Sequence, residues 1–333
     1  MKQKLYILLL VAALCNYAHA QTVNISQPYV AAQLLSPASV GDGLYTQRIQ
    51  SDLRTQIIDG SNLYNTAILS WDRKINNVDP EQNNYLGVGA QIVSDRLMNG
   101  LVQFNTVSVN FAYHIYLDKN LYNNVSIGLG GLFSQTSLDR SKLLFEDQYY
   151  NTGVLTGAGT SENLRNFPSN ASVNTGVLFT RHSAAQFFKF GASLFFFEKP
   201  QVTNSYLNES SGVRKLIFFN GESQIFYDYT LLVHGFASEQ NNIRKYVGGV
   251  ALSFPITKDW EEVKRMYIGC SYKRGESISP TVSFLMNNYM VGFSYDVNDN
   301  SLPGSQLKQT NFEISFSRSF GNRKSDLFRT LFD

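Results

Sequence analysis

Residues 289 to 298 alternate strictly between two chemistries. Tyr289, Val291, Phe293, Tyr295 and Val297 fall on one face of an extended strand, and Met290, Gly292, Ser294, Asp296 and Asn298 on the other. The pattern recurs from 108 to 117, where Val109, Phe111, Tyr113, Ile115 and Leu117 alternate with Ser108, Asn110, Ala112, His114 and Tyr116. From 124 to 133, Val125, Ile127, Leu129 and Phe133 alternate with Asn124, Ser126, Gly128, Gly130 and Leu132. Near the end, Phe312, Ile314, Phe316 and Phe320 alternate with small or polar neighbours, Arg318 being the exception.

About fourteen such strands are predicted, near 44–58, 63–74, 85–95, 103–118, 122–136, 171–181, 187–197, 213–226, 228–237, 245–255, 264–274, 278–286, 288–298 and 310–320. The divisions within 213–237 and 278–298 are the least sharply marked. In a soluble secreted β-sandwich, such alternation turns its apolar face to a shared core. In an outer-membrane barrel that face meets lipid, with strands of about ten residues. Composition favours the barrel: 24 Phe and 19 Tyr with only 8 Pro, and no run of eighteen apolar residues beyond the N-terminus. The fold class expected is therefore all-β, a transmembrane antiparallel barrel of about 14 strands. An even count suits closure with both termini on the periplasmic side.

Residues 1–20 read as a signal peptide, with Lys2 and Lys4, an apolar run from Leu5 to Leu14, and Ala18-His19-Ala20 as cleavage site. Leu14 before Cys15 argues against lipidation. Cys270 is then the one mature cysteine, so no intramolecular disulfide forms, which suits the envelope of a Gram-negative bacterium. Without Lys2 and Lys4 the 28 basic residues fall to 26, equal to the 26 acidic ones. That neutrality argues against nucleic acid as partner.

Residues 21–43 form a polar segment, periplasmic or plugging the barrel; 44–320 carry the strands, and 321–333 a charged tail expected to be poorly ordered. The first strand is unusual in placing Arg48, Asp52 and Arg54 on its polar face. Charges excluded from lipid are expected to line the lumen and pair there. The longest loop, about 137–170, carries Asp139, Arg140, Lys142, Glu146 and Asp147, a candidate interaction cluster for which a structural salt-bridge role is the stronger explanation.

Nothing points to catalysis or a cofactor. His114, His182 and His234 each stand alone in their segments, and no metalloprotease, nucleophile-elbow, phosphate-loop or dinucleotide motif occurs. A barrel enzyme would draw His, Ser and Asp from separate strands and leave no local motif. Asp296, Asn298 and Asn300 mimic the opening of a calcium loop, but Ser301 replaces its glycine and Leu307 its closing acid. A turn after a strand explains them better. Trp71, Tyr149 and Tyr150 are candidates for interfacial aromatic girdles.

Several short motifs, in order, resemble the PorP/SprF family of type IX secretion outer-membrane proteins. They are Leu35-Ser36-Pro37-Ala38, Ser70-Trp71-Asp72, and Gly87-Val88-Gly89 with Ser94-Asp95. Gln135, Leu138, Asp139, Ser141, Lys142 and Leu143, followed by Phe145-Glu146-Asp147-Gln148, resemble the family's most recognisable loop. Gly269-Cys270-Ser271-Tyr272 with Arg274, then Gly292 to Val297 with Ser301-Leu302 and Glu313-Ile314-Ser315, complete the series. The chain departs from the family where Ser36 replaces Asn, at Arg54-Thr55-Gln56-Ile57, and at Asn220-Gly221, suggesting a divergent paralogue.

The resemblance implies a fourteen-stranded barrel in the outer membrane, without enzymatic activity. It also implies an accessory role in secreting, or holding at the surface, a large adhesin with a type B C-terminal sorting domain, in a system linked to gliding motility. Expected partners are outer-membrane lipid, that adhesin, a periplasmic peptidoglycan-binding protein of the OmpA-like kind and other secretion components. The alternative is a porin or solute channel whose conductance depends on Arg48 and Arg54.

Overall fold

The structure is a computed structural model; it describes residues 25–58, 61–79, 84–143, 145, 148, 169–196, 213–226, 229–240, 243–256, 264–298, 309–321 and 331. The signal segment, Glu146, Asp147, Tyr149, Tyr150 and Asn300 lie outside the described residues.

Fourteen strands close into one antiparallel barrel in which each pairs with its sequence neighbours and the first with the last. They are β1 (Gln47–Ile58), β2 (Ser61–Asp79), β3 (Asn84–Leu97), β4 (Val102–Tyr116), β5 (Asn123–Leu138), β6 (Asn170–His182) and β7 (Gln186–Phe196). The second half comprises β8 (Arg214–Phe226), β9 (Tyr229–Gln240), β10 (Ile243–Pro255), β11 (Lys264–Lys273), β12 (Ser277–Met286), β13 (Tyr289–Asn298) and β14 (Gln309–Phe320). Closure is by β1 on β14, with Arg48 opposite Ser319 and Arg54 opposite Glu313. A closed barrel leaves no unpaired edge, the condition for crossing lipid with strands.

The alternation sorts residues as the apolar pattern requires. Val109, Phe111, Ile127, Leu129, Phe293, Tyr295, Phe312 and Ile314 are exposed on the outer face, while Ser108, Asn110, His114, Ser126, Asp296, Asn311 and Glu313 are buried within. The reason is solvent: an outward methyl meets lipid and an inward amide meets other polar groups. Arg318 breaks the pattern at the barrel rim, where its guanidinium lies over the rings of Tyr289 and Phe320, 4.9 and 4.5 Å from their centroids. Such a stacked cation belongs at the level of lipid headgroups. Trp71 is also on the lipid face.

The two rims differ. At the rim where the chain ends emerge, the connections are 80–83, 117–122, 183–185, 227–228, 256–263 and 287–288. The opposite rim carries the long connections 139–169, 197–213 and 299–308. Short turns mark the periplasmic side and long loops the outside.

The first strand begins at Gln47, three residues later than the pattern suggests, because the chain before it runs inside the barrel. Residues 25–42 are almost entirely buried. They form two short 3₁₀ turns, Pro28–Ala31 and Pro37–Ser39, on either side of one α-turn, Ala32–Leu35. Ser36 caps the second turn, its Oγ accepting from the Ala38 N–H at 3.2 Å. The segment descends from the outer half of the lumen to the periplasmic rim, where Tyr45 donates to the Asn287 carbonyl. It is a plug.

Candidate functional site

The site is the interface between this plug and the barrel wall. A segment without regular structure cannot satisfy its own backbone, so buried carbonyls and N–H groups must find partners elsewhere. The inward positions of the strands supply them. The N–H groups of Ser26 and Gln27 donate to the two oxygens of Glu313 at 2.6 and 2.8 Å. The Gly41 N–H donates to Asp72 at 2.9 Å. Ser126 donates to the Ala38 carbonyl at 2.9 Å, Ser193 to that of Leu35, Arg214 to that of Leu34 and Lys74 to that of Gly43. His114 Nε2 lies 2.8 Å from the Val40 carbonyl and its ring stacks on Tyr85 at 4.3 Å between centroids. Gln33 donates to the Trp71 carbonyl at 3.0 Å and accepts from Asn110 at 3.0 Å.

Shape complements this chemistry. Gly87 and Gly128 face inward where the plug presses closest: a Cβ at Gly87 would collide with the Val40 carbonyl, and one at Gly128 with the Ala38 backbone. Apolar plug residues complete the fit: Leu35 and Ala38 pack against Leu178, Leu216 and Phe218, and Ile25 and Ala31 against Ile68 and Val93.

Two buried charge clusters clamp the ends. In the outer half, Asp296 accepts from Arg54 and Lys273, both at 2.9 Å, from Asn311 at 3.0 Å and from the Ser26 hydroxyl at 2.7 Å. Near the periplasmic rim, Arg48 pairs with Asp72 at 3.2 Å and Lys189 pairs with the plug residue Asp42. Asp296 is thus a plug anchor, not the start of a calcium loop.

Leu331 also lies in the lumen. Leu331 is buried with Tyr29, Val30, Phe187, Leu232 and Tyr267, and its N–H donates to Glu222 at 3.0 Å. Glu222 accepts as well from Tyr267 at 2.8 Å and Thr230 at 2.9 Å. Burial of the leucine side chain and the hydrogen bond to the Glu222 carboxylate together hold this residue.

Of the three lumen charges read from the first strand, Arg48 pairs with Asp72 and Arg54 with Asp296. Asp52 pairs with no base: it is buried, no amide, hydroxyl or cationic donor reaches its carboxylate oxygens, and the side chain that meets it is the Glu313 carboxyl. Its strand neighbours explain this, since Ile68 stands opposite on one side and Ser315 on the other. The loop cluster is partly formed. Lys142 lies 3.5 Å from Asp139 and donates to the Asn99 carbonyl at 2.7 Å, while Asp139 accepts from the Ser141 amide and hydroxyl. Hydrogen bonding from Ser141, with the Lys142 charge, holds the Asp139 carboxyl below its ordinary range. Arg140 lies exposed in the same short turn, Arg140–Lys142.

Reading the first strand alone misses Lys189, Glu222, Lys273 and Asp42. The signal is present for three of them: a charge at an inward position of an alternating strand. The histidines are scattered. His234 Nε2 lies 3.2 Å from Ser271 Oγ, but its Nδ1 has no partner, so no carboxylate orients the ring. His182 meets Phe187 edge-on.

The family model described as "Type IX secretion system membrane protein PorP/SprF" matches residues 18–317. No curated protein matches the chain. Among solved structures, a TodX deltaS2S3 mutant monoaromatic hydrocarbon channel superposes with a TM-score of 0.53 at 9% identity, covering 87% of this chain and 94% of that one. The TodX deltaS2 mutant channel gives 0.52 at 9% identity, with coverage of 87% and 94%. The CymD monoaromatic hydrocarbon channel gives 0.44 at 10% identity, covering 92% and 95%. For the two TodX channels, at such identities, the likeness extends to the barrel fold alone.

Proposed function

Because the chain belongs to the PorP/SprF family of type IX secretion membrane proteins, we propose that it works as a plugged, non-enzymatic docking platform in the outer membrane. The cargo it helps to secrete or hold at the surface is a large adhesin-like protein with a type B C-terminal sorting domain. The observation that carries this reading is the occupied lumen. A barrel filled by its own N-terminal segment, tied by Glu313, Asp296, Asp72 and Lys189, offers binding surface at its rims. The outer rim, with the Asp139 to Lys142 turn, faces the cargo. The periplasmic rim faces an OmpA-like peptidoglycan-binding protein and other secretion components, including any that serve gliding.

The test is quantitative proteomics of cell surface and culture medium in a deletion strain. Selective loss of one large adhesin from the surface supports the platform, and its appearance in the medium assigns the role to retention. An unchanged profile, together with ionic conductance of the purified barrel that falls on neutralising Arg48 and Arg54, would replace the platform with a channel.

A further inference from the structure

The motif Gly269-Cys270-Ser271-Tyr272 with Arg274 serves more than the lumen. Ser271 points inward to His234, but Tyr272 and Arg274 take the alternate positions and are exposed on the outer face. There they border a groove in the lipid-facing wall.

The groove follows from the strand register. Phe190, Phe219, Gly235, Gly248 and Tyr272 stand side by side in one row across β7 to β11. Two adjacent glycines between aromatic side chains leave a notch. The Phe219 ring lies over Gly235, and nothing comes closer to the place of a Cβ on Gly248 than the His234 carbonyl at 3.9 Å. In the next outward row toward the outer rim, Ala237 stands between Ile217 and Tyr246 and keeps the notch open. The resulting cavity has a volume of about 430 Å³.

Its outer end is basic. Beyond Ile217 comes Lys215, opposite Glu239, which in turn stands opposite Arg244. The Arg274 N–H donates to the Tyr246 carbonyl at 3.0 Å, and its guanidinium lies 5.5 Å from the Tyr246 ring centroid. Glu239 lies 3.7 Å from Arg244, and Glu276 3.9 Å from Lys245. With Lys215 and Arg274 added, positive charge exceeds negative at this end of the groove among the described residues.

An apolar notch that opens into lipid and ends in cations at headgroup level matches an acyl chain below an anionic head. The convex wall of a second barrel would leave the notch empty. Arginine binds phosphate oxygens through paired N–H donors. Lys215 on β8 and Arg274 beyond β11 are separated by three strand spacings, about 14 Å, a span that suits a disaccharide headgroup better than a single phosphodiester. We propose that the groove binds one molecule of lipid A, the phosphorylated glycolipid of the outer leaflet. An acyl chain lies over Gly235 and Gly248, a phosphate meets Arg274, and the headgroup extends toward Arg244 and Lys215.

The experiment uses the purified full-length barrel, exchanged into lipid-free detergent and titrated with diphosphoryl lipid A. Dephosphorylated lipid A and phosphatidylglycerol are titrated in parallel, and native mass spectrometry counts the bound molecules. One lipid A per barrel is expected, with the other two lipids bound several-fold more weakly. Gly248→Leu fills the notch without backbone strain, Arg274→Gln removes the phosphate partner, and each should weaken lipid A binding several-fold. Gly131→Leu, which adds the same side chain in open space on β5, should bind as the wild type does. Heat-dependent gel mobility confirms that each variant is folded. Lipid A binding unchanged in both groove variants overturns the proposal, as does phosphatidylglycerol bound as tightly as lipid A. A pair of barrels that Gly248→Leu separates would also overturn it, by making the groove a contact between copies of this chain.

Discussion

Two groups of acid and base side chains, one in the lumen and one on the outer rim, look alike in the sequence and differ in what they do. Arg54, Lys273 and Asp296 are 2 to 5% exposed; Asp139 and Lys142 are 40 and 44% exposed. Buried, each charge depends on its partners, because water cannot replace them and removal of one strands the others. Exposed, the pair competes with water and salt and contributes little. The lumen cluster therefore determines whether the plug stays, while the rim cluster is free to serve as contact surface.

The comparison can be broken most severely at Asp296. Asp296→Asn removes the carboxylate that Arg54 and Lys273 both reach at 2.9 Å, and should cost about 3–5 kcal/mol. A urea titration followed by gel mobility checks this; an unshifted midpoint would refute the clamp. Gly128→Val tests the plug without touching charge. Its side chain would occupy the space of the Ala38 backbone, so the barrel should close while the plug is expelled. Ionic conductance in planar bilayers should appear, along with protease cleavage within residues 25–46.

A smaller loss is expected at the tail. Leu331→Ala removes a buried side chain from the cluster around Tyr29 and should destabilise by about 2 kcal/mol, measured in the same urea titration. The rim gives the smallest effect. Asp139→Asn should leave the unfolding midpoint unchanged, since the group is solvated. Its pH response has a definite sign. The folded carboxyl is held below the ordinary value of about 3.9, so the turn's contribution is complete above that value and is lost only as pH falls through the lower, folded one. The amide shift of Ser141 should therefore stay constant from neutral pH to about 4; a transition at higher pH would contradict the Ser141 hydrogen bonds.

Much of the barrel is legible in the alternation alone. Strands expected at 213–226, 264–274 and 310–320 lie within a residue of their observed bounds, because lipid outside and polar lumen inside impose a period of two that local sequence must carry. The same period exposes the inward charges Arg48, Arg54 and Asp296, and it marks Lys189, Glu222 and Lys273 equally well once charges are read against it. The motifs shared with the family have a common physical sense. Asp72, Gly87, Asp296 and Glu313 belong to three separate motifs, the last two to one, and all of them touch or clear the plug.

What the chain determined by itself was the set of strands, their faces and the even count, because each depends on residues two apart. Partners were decided only in three dimensions. Nothing near Glu313 announces that it holds the N–H groups of Ser26 and Gln27, nearly three hundred residues away, and nothing near Leu331 announces Glu222. Nor does the charge beside Arg54 reveal that Asp52 lies against the Glu313 carboxyl while Arg54 reaches past β14 to Asp296 on β13. Closure of β1 on β14 brings these groups together, and the plug's irregular backbone, unable to satisfy itself, takes whatever donors and acceptors the closed wall presents.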